Sequence, residues 1–329
     1  MTPKERILAA LRGKPTDRLP YQEIFFNNYA VAEHFGGPQK SFDDAGRYLS
    51  KSGQCSMLVA GYWWSPCDVY AETQDGHKRY TGGRTWTMKD VREMQEPDIE
   101  PTLPSLQEGI EAARRYRLAC HVFIQNGFHA ASTIMGLENL CYTLVDAPEV
   151  LKAMIDRIEE YNRHVLQKLS SFDIDIVFVD GDCAYKNGLM VSPDIFRNIW
   201  FEPTRKTMEL CRANGWPYCY HTDGKVKDLY PMLIELGFYA HHGVEAAAND
   251  LGEIKSLFGD RITLIGNFDV AQLALRRPEE ITRLTRKMLD TGSPGGRYIA
   301  GCNTVVGEEI PLENYLAFQK TIMEYERHP

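Results

Sequence analysis

The densest chemistry in the sequence lies between Trp216 and Glu245. A short apolar run, WPYCYH, breaks at Thr222-Asp223-Gly224; a helical run, KVKDLYPMLIELG, follows; a second apolar run, FYAHHG, opens into Val244-Glu245. His221 and Asp223 close the first run, and His241, His242 and Glu245 close the second. Two strands joined by a helix are expected here, with metal-capable side chains at the C-terminal end of each strand. In parallel α/β folds that is the end where catalytic groups gather.

Other apolar runs end in the same way. Asp180 and Asp182 follow DIDIVFV, Asn267 and Asp269 follow RITLIG, and Cys302 follows RYIAG. The imidazole of His221, the carboxylate of Glu245 and the thiolate of Cys302 together suit zinc, a borderline-soft ion, with a fourth position left open as in catalytic sites. Asp223 is either a fourth ligand or the partner that orients His221. The same residues allow a metal-free reading, in which His221 hydrogen-bonds to Asp182 or Asp223 and Cys302 is a small buried apolar side chain. His241 and His242 are adjacent, point to opposite faces of a strand, and are read as structural. His129 belongs either to the pocket or to packing. Cys183, after Asp182, ranks below Cys302 as a site residue. Tyr185 and Asn187 sit in a loop after a strand, within reach of a substrate. Cys55, Cys120, Cys141, Cys211 and Cys219 are expected in the core.

The elements that position these groups alternate strand and helix about eight times along the chain, from the strand YQEIFF to a last helix, PLENYLAFQKTIMEYER. This predicts an α/β chain forming a single domain over residues 1–329: a (β/α)8 TIM barrel with an N-terminal helical extension capped by Thr2 and Glu5. Asp146 is expected to cap a helix starting near Pro148, and Ser192-Pro193 to start another. Residues 62–88 are aromatic, polar and glycine-rich, and suit a loop over the mouth. Trp63 and Trp64 at its root are either a ligand wall or core. No strand is followed by a dinucleotide or P-loop glycine pattern.

Composition narrows the function further. A net charge of −8, with no basic tract, argues against nucleic-acid binding. No apolar run approaches the roughly 20 residues of a membrane span. The charged, helical start and eight cysteines without framework spacing point to a cytoplasmic protein with reduced thiols.

At these residues the chain resembles the uroporphyrinogen decarboxylase superfamily over nearly its whole length. The resemblance is carried by TPKERILAALRGKPTDRLP, MGLENLCYTLVDAPEV, AYKNGLMVSPDIFRNIWFEP, HTDGKVKDLYPMLIELG, FGDRITLIGNFD and GCNTVVGEEIPLENYLAF. One branch decarboxylates a porphyrinogen without metal, using arginines near the N-terminus; FFNNYAVAEHFG offers none. The other branch holds zinc and transfers methyl groups with corrinoid proteins. The resemblance places His221 on the zinc histidine, Asp223 on a cysteine of that set, Glu245 on a glutamate of a related set and Cys302 on the late cysteine. It implies a zinc-dependent methyltransferase, O-demethylase-like. Such an enzyme takes a methyl group from a small donor, a methoxylated aromatic or else a methylamine or betaine, to the Co(I) of a corrinoid partner protein. Asp180, Asp182 and Asp223 are then candidate proton donors, and Trp63, Trp64, His129, Tyr185 and Asn187 candidate donor contacts. Aspartate in place of cysteine makes the expected site harder. The alternative is a metal-independent decarboxylase of a porphyrinogen or related acid.

Overall fold

The computed structural model of the protein describes residues 1–36, 40–64, 70–72, 78–80 and 82–326. Its centre is a seven-stranded parallel sheet in which the strands pair in chain order: β1 Ser56–Tyr62, β2 Ala119–Gln125, β3 Ile176–Asp180, β4 Tyr218–Thr222, β5 Ala240–Gly243, β6 Thr263–Gly266 and β7 Tyr298–Ile299. Helices connect them, so the alternation read from the sequence is a TIM-barrel-like arrangement. No helix among the described residues is long and apolar enough to cross a membrane.

The expected first strand, YQEIFF, is a correction. It pairs only through isolated bridges, Tyr21 with Ala300 and Phe26 with Val306. Pro20 has no N–H to give a ladder, and on the β1 side a side chain replaces the backbone: Gln22 Oε1 accepts from Cys55 N at 3.0 Å and from Ser56 N at 2.5 Å. The segment therefore closes the ring between β7 and β1 by isolated bridges on one side and glutamine side chains, Gln22 and Gln54, on the other, and leaves a seam above Ser56.

Alternation puts every second residue inside the barrel. Cross-strand register lines up Phe123, Phe178, Cys219, Ala240 and Thr263, and one step higher Gln125, Asp180, His221, His242, Ile265 and Ile299. The lower end is stoppered by helix α1, Pro3–Leu11, which has the expected Thr2–Glu5 capping box. Its Ile7, Ala10 and Leu11 pack among Cys55, Ala119, Ile176 and Ala240, and Thr263 Oγ1 donates to Ala10 O at 3.0 Å. With that end filled by apolar side chains, the inward polar groups are left to the C-terminal mouth. There the strand ends turn sharply. Gly243 and Gly266 have φ of 114° and 97°, and a Cβ on either would lie 2.4 Å from Thr222 O or 2.5 Å from Cys302 O.

Two local readings also change. Ala147, not Asp146, precedes the helix Pro148–Leu169, and no side chain caps it. Cys141 is exposed rather than core. Ser192 does cap the helix at Pro193, accepting from Ile195 N at 3.3 Å.

Candidate active site

The mouth is built around the end of β3. Asp180, the last residue of that strand, accepts from Trp63 Nε1 through Oδ2 at 3.0 Å and lies 3.3 Å from His129 Nδ1 through Oδ1. Two residues on, Asp182 Oδ1 accepts from Asp223 N at 3.2 Å. Ligand atoms of His129, Asp180 and Asp182 all lie within 4.8 Å of one another, the one such metal-capable group among the described residues. His129 arrives there on a helix that the sequence reading missed, α2, Gly127–Met135. Asn126 caps it, accepting from Phe128 N at 2.8 Å, and Gly127 N donates to buried Glu159 at 2.9 Å.

Electrostatics bind the cluster together. Burial works against a charge on His129, but the facing carboxylate of Asp180, 3.3 Å away, outweighs it and raises the imidazole above 6.5. Burial likewise opposes a charge on Asp180, but His129 outweighs it and the carboxyl lies below its ordinary value. Asp223 goes the other way. Burial pushes it up to about 6, helped by Asp182, Glu245 and Asp180 and opposed by His221, and its Oδ1 has no hydrogen-bond partner. An acid raised in the folded state favours folding most below its unfolded value near 3.8. That advantage is lost as pH rises through about 6, at a cost of roughly 1–3 kcal/mol once ionised. Asp223→Asn is therefore expected to stabilise the metal-free protein by that order at pH 7.5 and hardly at all at pH 3.5. Urea unfolding at the two pH values checks it, and an equal effect at both contradicts it.

The residues expected to hold zinc are placed differently. His221 faces the interior and meets His242, Nδ1 to Nδ1, at 2.8 Å. Burial drives His242 well below 6.5, so it stays neutral, and one of the two Nδ1 atoms carries the shared proton. That leaves Nε2 of His221 as its ligand atom. Glu245 Oε2 accepts from Gly224 N at 2.9 Å. Cys302 is fully buried beside a residue that sequence reasoning passed over: its N donates to Glu23 Oε2 at 2.9 Å. Burial, then Glu23, pushes the Cys302 thiol well up, and burial raises Glu23 to about 8. Ligand atoms of His221, Glu245 and Cys302 are not all within 4.8 Å of one another, so in this arrangement they are not gathered for one ion. The reason is that Cys302 turns toward Glu23 while Glu245 closes the β4 loop.

Other candidates divide. Trp63 is 43 % exposed and stacks on Phe123 with ring centroids 6.3 Å apart, so it borders the mouth. Trp64 is core: it is buried, donates to Gln95 O at 3.0 Å and packs on Tyr161. The loop expected over the mouth is described only in part; 65–69, 73–77 and 81 lie outside the described residues. Tyr185 and Asn187 are exposed on the hairpin Ala184–Tyr185/Gly188–Leu189, which Tyr185 O ties to Lys225 N at 2.9 Å. His241 packs outward, with Nδ1 2.9 Å from Tyr230 Oη. Cys183 is buried against Thr222 and Tyr220.

Comparison with known proteins gives the family. Residues 67–325 match the family described as uroporphyrinogen decarboxylase (URO-D), and the chain belongs to it. Its fold is similar to that of a methyltransferase from Methanosarcina mazei, at 18% identity and a TM-score of 0.75 over 98% of this chain and 99% of that one. A B12-independent methionine synthase from Shewanella sp. W3-18-1 aligns at 11% identity and a TM-score of 0.49, over 70% of this chain and 68% of that one. No curated protein sequence gives a match.

Proposed function

We propose that this member of the family transfers a methyl group from a small donor to the Co(I) of a separate corrinoid protein, at the C-terminal mouth of the barrel and with a bound divalent metal. The observation that carries the reading is the gathering of His129, Asp180 and Asp182 beneath Trp63 at that mouth. The likeness in fold to a methyltransferase along the whole chain supports it. Metal-free decarboxylation of a porphyrinogen is disfavoured, because the chain has no Lys or Arg from Pro20 to Gly36 to receive the substrate's carboxylates.

The donor set tests what the mouth can hold. One imidazole and two carboxylates, with His129 Nδ1 in no well-formed hydrogen bond, fit zinc but also harder divalent ions. The thiolate that favoured zinc in the sequence is not among them. When bound, the ion supplies Lewis-acid stabilisation of the heteroatom that gives up its methyl. The chain's own residues do the rest. Trp63 fixes the rotamer of Asp180 and offers its exposed face to the donor, a methoxylated aromatic in preference to a methylamine or betaine. Asp182 fixes the backbone of Asp223, whose unpartnered Oδ1 is the group placed to protonate the departing oxygen. In the transfer the carbon–oxygen bond breaks and a carbon–cobalt bond forms. The Co(I) electron pair is used, giving methyl-Co(III), and the oxygen leaves with the bonding pair.

The test is incubation with a reduced corrinoid carrier and a panel of methoxyarenes and methylamines, following cobalt methylation by absorbance, alongside metal analysis. Methylation is expected with at least one donor, with one metal per chain. Cys302→Ser is expected to keep the metal, whereas Asp182→Asn loses it. The opposite pattern assigns the ion to His221, Glu245 and Cys302, as the family resemblance implies. Metal-free protein that decarboxylates an acid and methylates no corrinoid sinks the reading.

A further inference from the structure

The face of the barrel opposite the mouth carries a cavity of about 420 Å³, a volume within the range of small-molecule sites. Four arginines reach it from four connections. Arg12 follows α1 directly, Arg212 lies in the last turn of the helix Glu202–Ala213, and Arg261 and Arg297 stand just before β6 and β7. No Asp or Glu among the described residues lines the cavity. Elsewhere Arg6 is paired with Asp17, Arg157 with Glu96 and Arg197 with Glu235. Here Arg261 has Asp260 at 3.5 Å, whereas Arg12, Arg212 and Arg297 have no carboxylate partner among the described residues. Two of these guanidinium groups are nonetheless fixed in place. Arg212 Nε donates to Tyr218 Oη at 2.8 Å and Nη2 to Leu236 O at 2.7 Å; both acceptors are neutral, so the charge stays uncompensated and Nη1 is left over. Arg297 has a φ of 47°, a left-handed conformation uncommon for a long side chain. Its guanidinium lies on the backbone of Gly13, where a Cβ would be only 2.5 Å away. Strained backbone of this kind persists where the surroundings hold it, and it gathers at binding sites.

We propose that this cavity binds a small molecule carrying more than one phosphate group, held by Arg12, Arg212 and Arg297. The inference stands apart from the methyl-transfer reading. Charge decides the number of phosphates. Three uncompensated guanidinium groups on separate elements exceed what one phosphate, at about −1.5 to −2, neutralises, and a diphosphate comes closer. Arginine forks also match phosphate oxygens two at a time, in short charge-assisted hydrogen bonds. An acidic peptide supplies one charge per side chain, and must order several flexible side chains in one concavity to do the same. The ligand would join the end of α1, through Arg12, to the start of β7, through Arg297, so it ties the stopper of the barrel to the wall and favours the folded state by mass action.

The experiment is calorimetry on the full-length protein at about 0.15 M salt, where exposed charges are well screened. Its probes are pyrophosphate, inorganic phosphate and a pentaglutamate peptide. Pyrophosphate is expected to bind once per chain, at least tenfold more tightly than inorganic phosphate, the step of one further charge-assisted contact. It should bind more tightly than the peptide as well. Arg297→Gln is expected to weaken pyrophosphate at least tenfold. Gly13→Ala, which keeps every arginine but displaces the Arg297 guanidinium, is expected to do the same, with circular dichroism unchanged. Arg12→Gln gives that result should Gly13→Ala fold poorly. Arg92→Gln, an equal loss of charge at an exposed position outside the cavity, is expected to leave binding as in the parent. Binding of no probe, equal binding of the two phosphates, or tighter binding of the peptide overturns the proposal. So does an equal loss in Arg92→Gln, which would mean attraction to net charge alone. Undiminished binding in folded Arg297→Gln and Gly13→Ala proteins overturns it too, and pyrophosphate drawn instead to a metal at the mouth would give that pattern.

Discussion

Asparagine in place of Asp180 is expected to release the metal and lower methyl transfer at least a hundredfold. The carboxylate has two jobs, one for each oxygen: Oδ2 receives the Trp63 N–H at 3.0 Å and Oδ1 faces His129 Nδ1 at 3.3 Å. An amide keeps the shape but can supply only one acceptor, so its NH2 must face either the Trp63 N–H or the His129 ring. It also removes one negative charge and one of the gathered ligands. Losing even an outer-shell partner typically costs 10–100-fold in metal affinity, and on the proposed reading this loss is of a ligand itself. The metal-free protein gives an independent readout. Asp180 is what raises His129, so the imidazole of the variant should titrate at or below 6.5, followed by NMR of the ring protons. The stability that His129 draws from the pair is fully present below 6.5 and is lost as pH rises through its raised folded value. What Asp180 draws is present above its ordinary 3.8 and is lost as pH falls through its lowered value. Parent stability should therefore show a plateau between those limits that the variant lacks. An unchanged metal content with a missing plateau would mean that His129 and Asp180 are an ion pair and nothing more.

How much of this was legible follows from which rules are local. The strand–helix alternation, the caps at Thr2 and Ser192 and the polar strand ends Asp180, Asp182, His221 and Cys302 are statements about residues close in sequence, and periodicity and capping chemistry expose them. Which of those strand ends meet is not local, because tilt and stagger of the barrel decide it. His221 and His242 come together because their strands pair in register, while Cys302 is turned toward Glu23. Glu23 itself was hidden by a segment that looks like a strand and is not one. His129 was left undecided because helix α2 starts directly at the strand end; the cap-like Asn126 before Gly127 was the available signal. Trp63 and Trp64 have the same side chain and adjacent numbers, yet one lies at the mouth and the other in the core. Only the alternation of the chain leaving β1 separates them, and it could not be registered without the strand's end.

Alanine in place of Phe123 is expected to cost about 3–5 kcal/mol of stability, and it carries the fold's contribution to the site. The ring is fully buried in the barrel interior. It stacks on Phe178 at 5.2 Å, leans on Phe25 at 4.7 Å and receives His121 edge-on at 5.9 Å. These partners sit on β3, on the Gln22–Asn27 segment and on β2 itself and cannot all move in, so most of the removed volume stays empty, and the loss is that of a cavity added to a transfer cost. Denaturant unfolding measures it, and Phe123→Leu, which leaves a smaller void, should lose less than half as much. The same ring is the platform for Trp63, which in turn holds Asp180. In the alanine variant the Trp63 indole loses its stacking partner, so the bond that fixes Asp180 loosens and metal affinity should fall up to tenfold with every ligand still present. The leucine variant, which keeps an apolar floor beneath the indole, should bind metal nearly as the parent does. A loss of stability below about 1 kcal/mol would mean that Phe25 swings in to fill the void, and a full loss of stability with metal affinity unchanged would mean that Asp180 is fixed by His129 alone and the aromatic ladder from the barrel floor to the mouth is packing without consequence for the site.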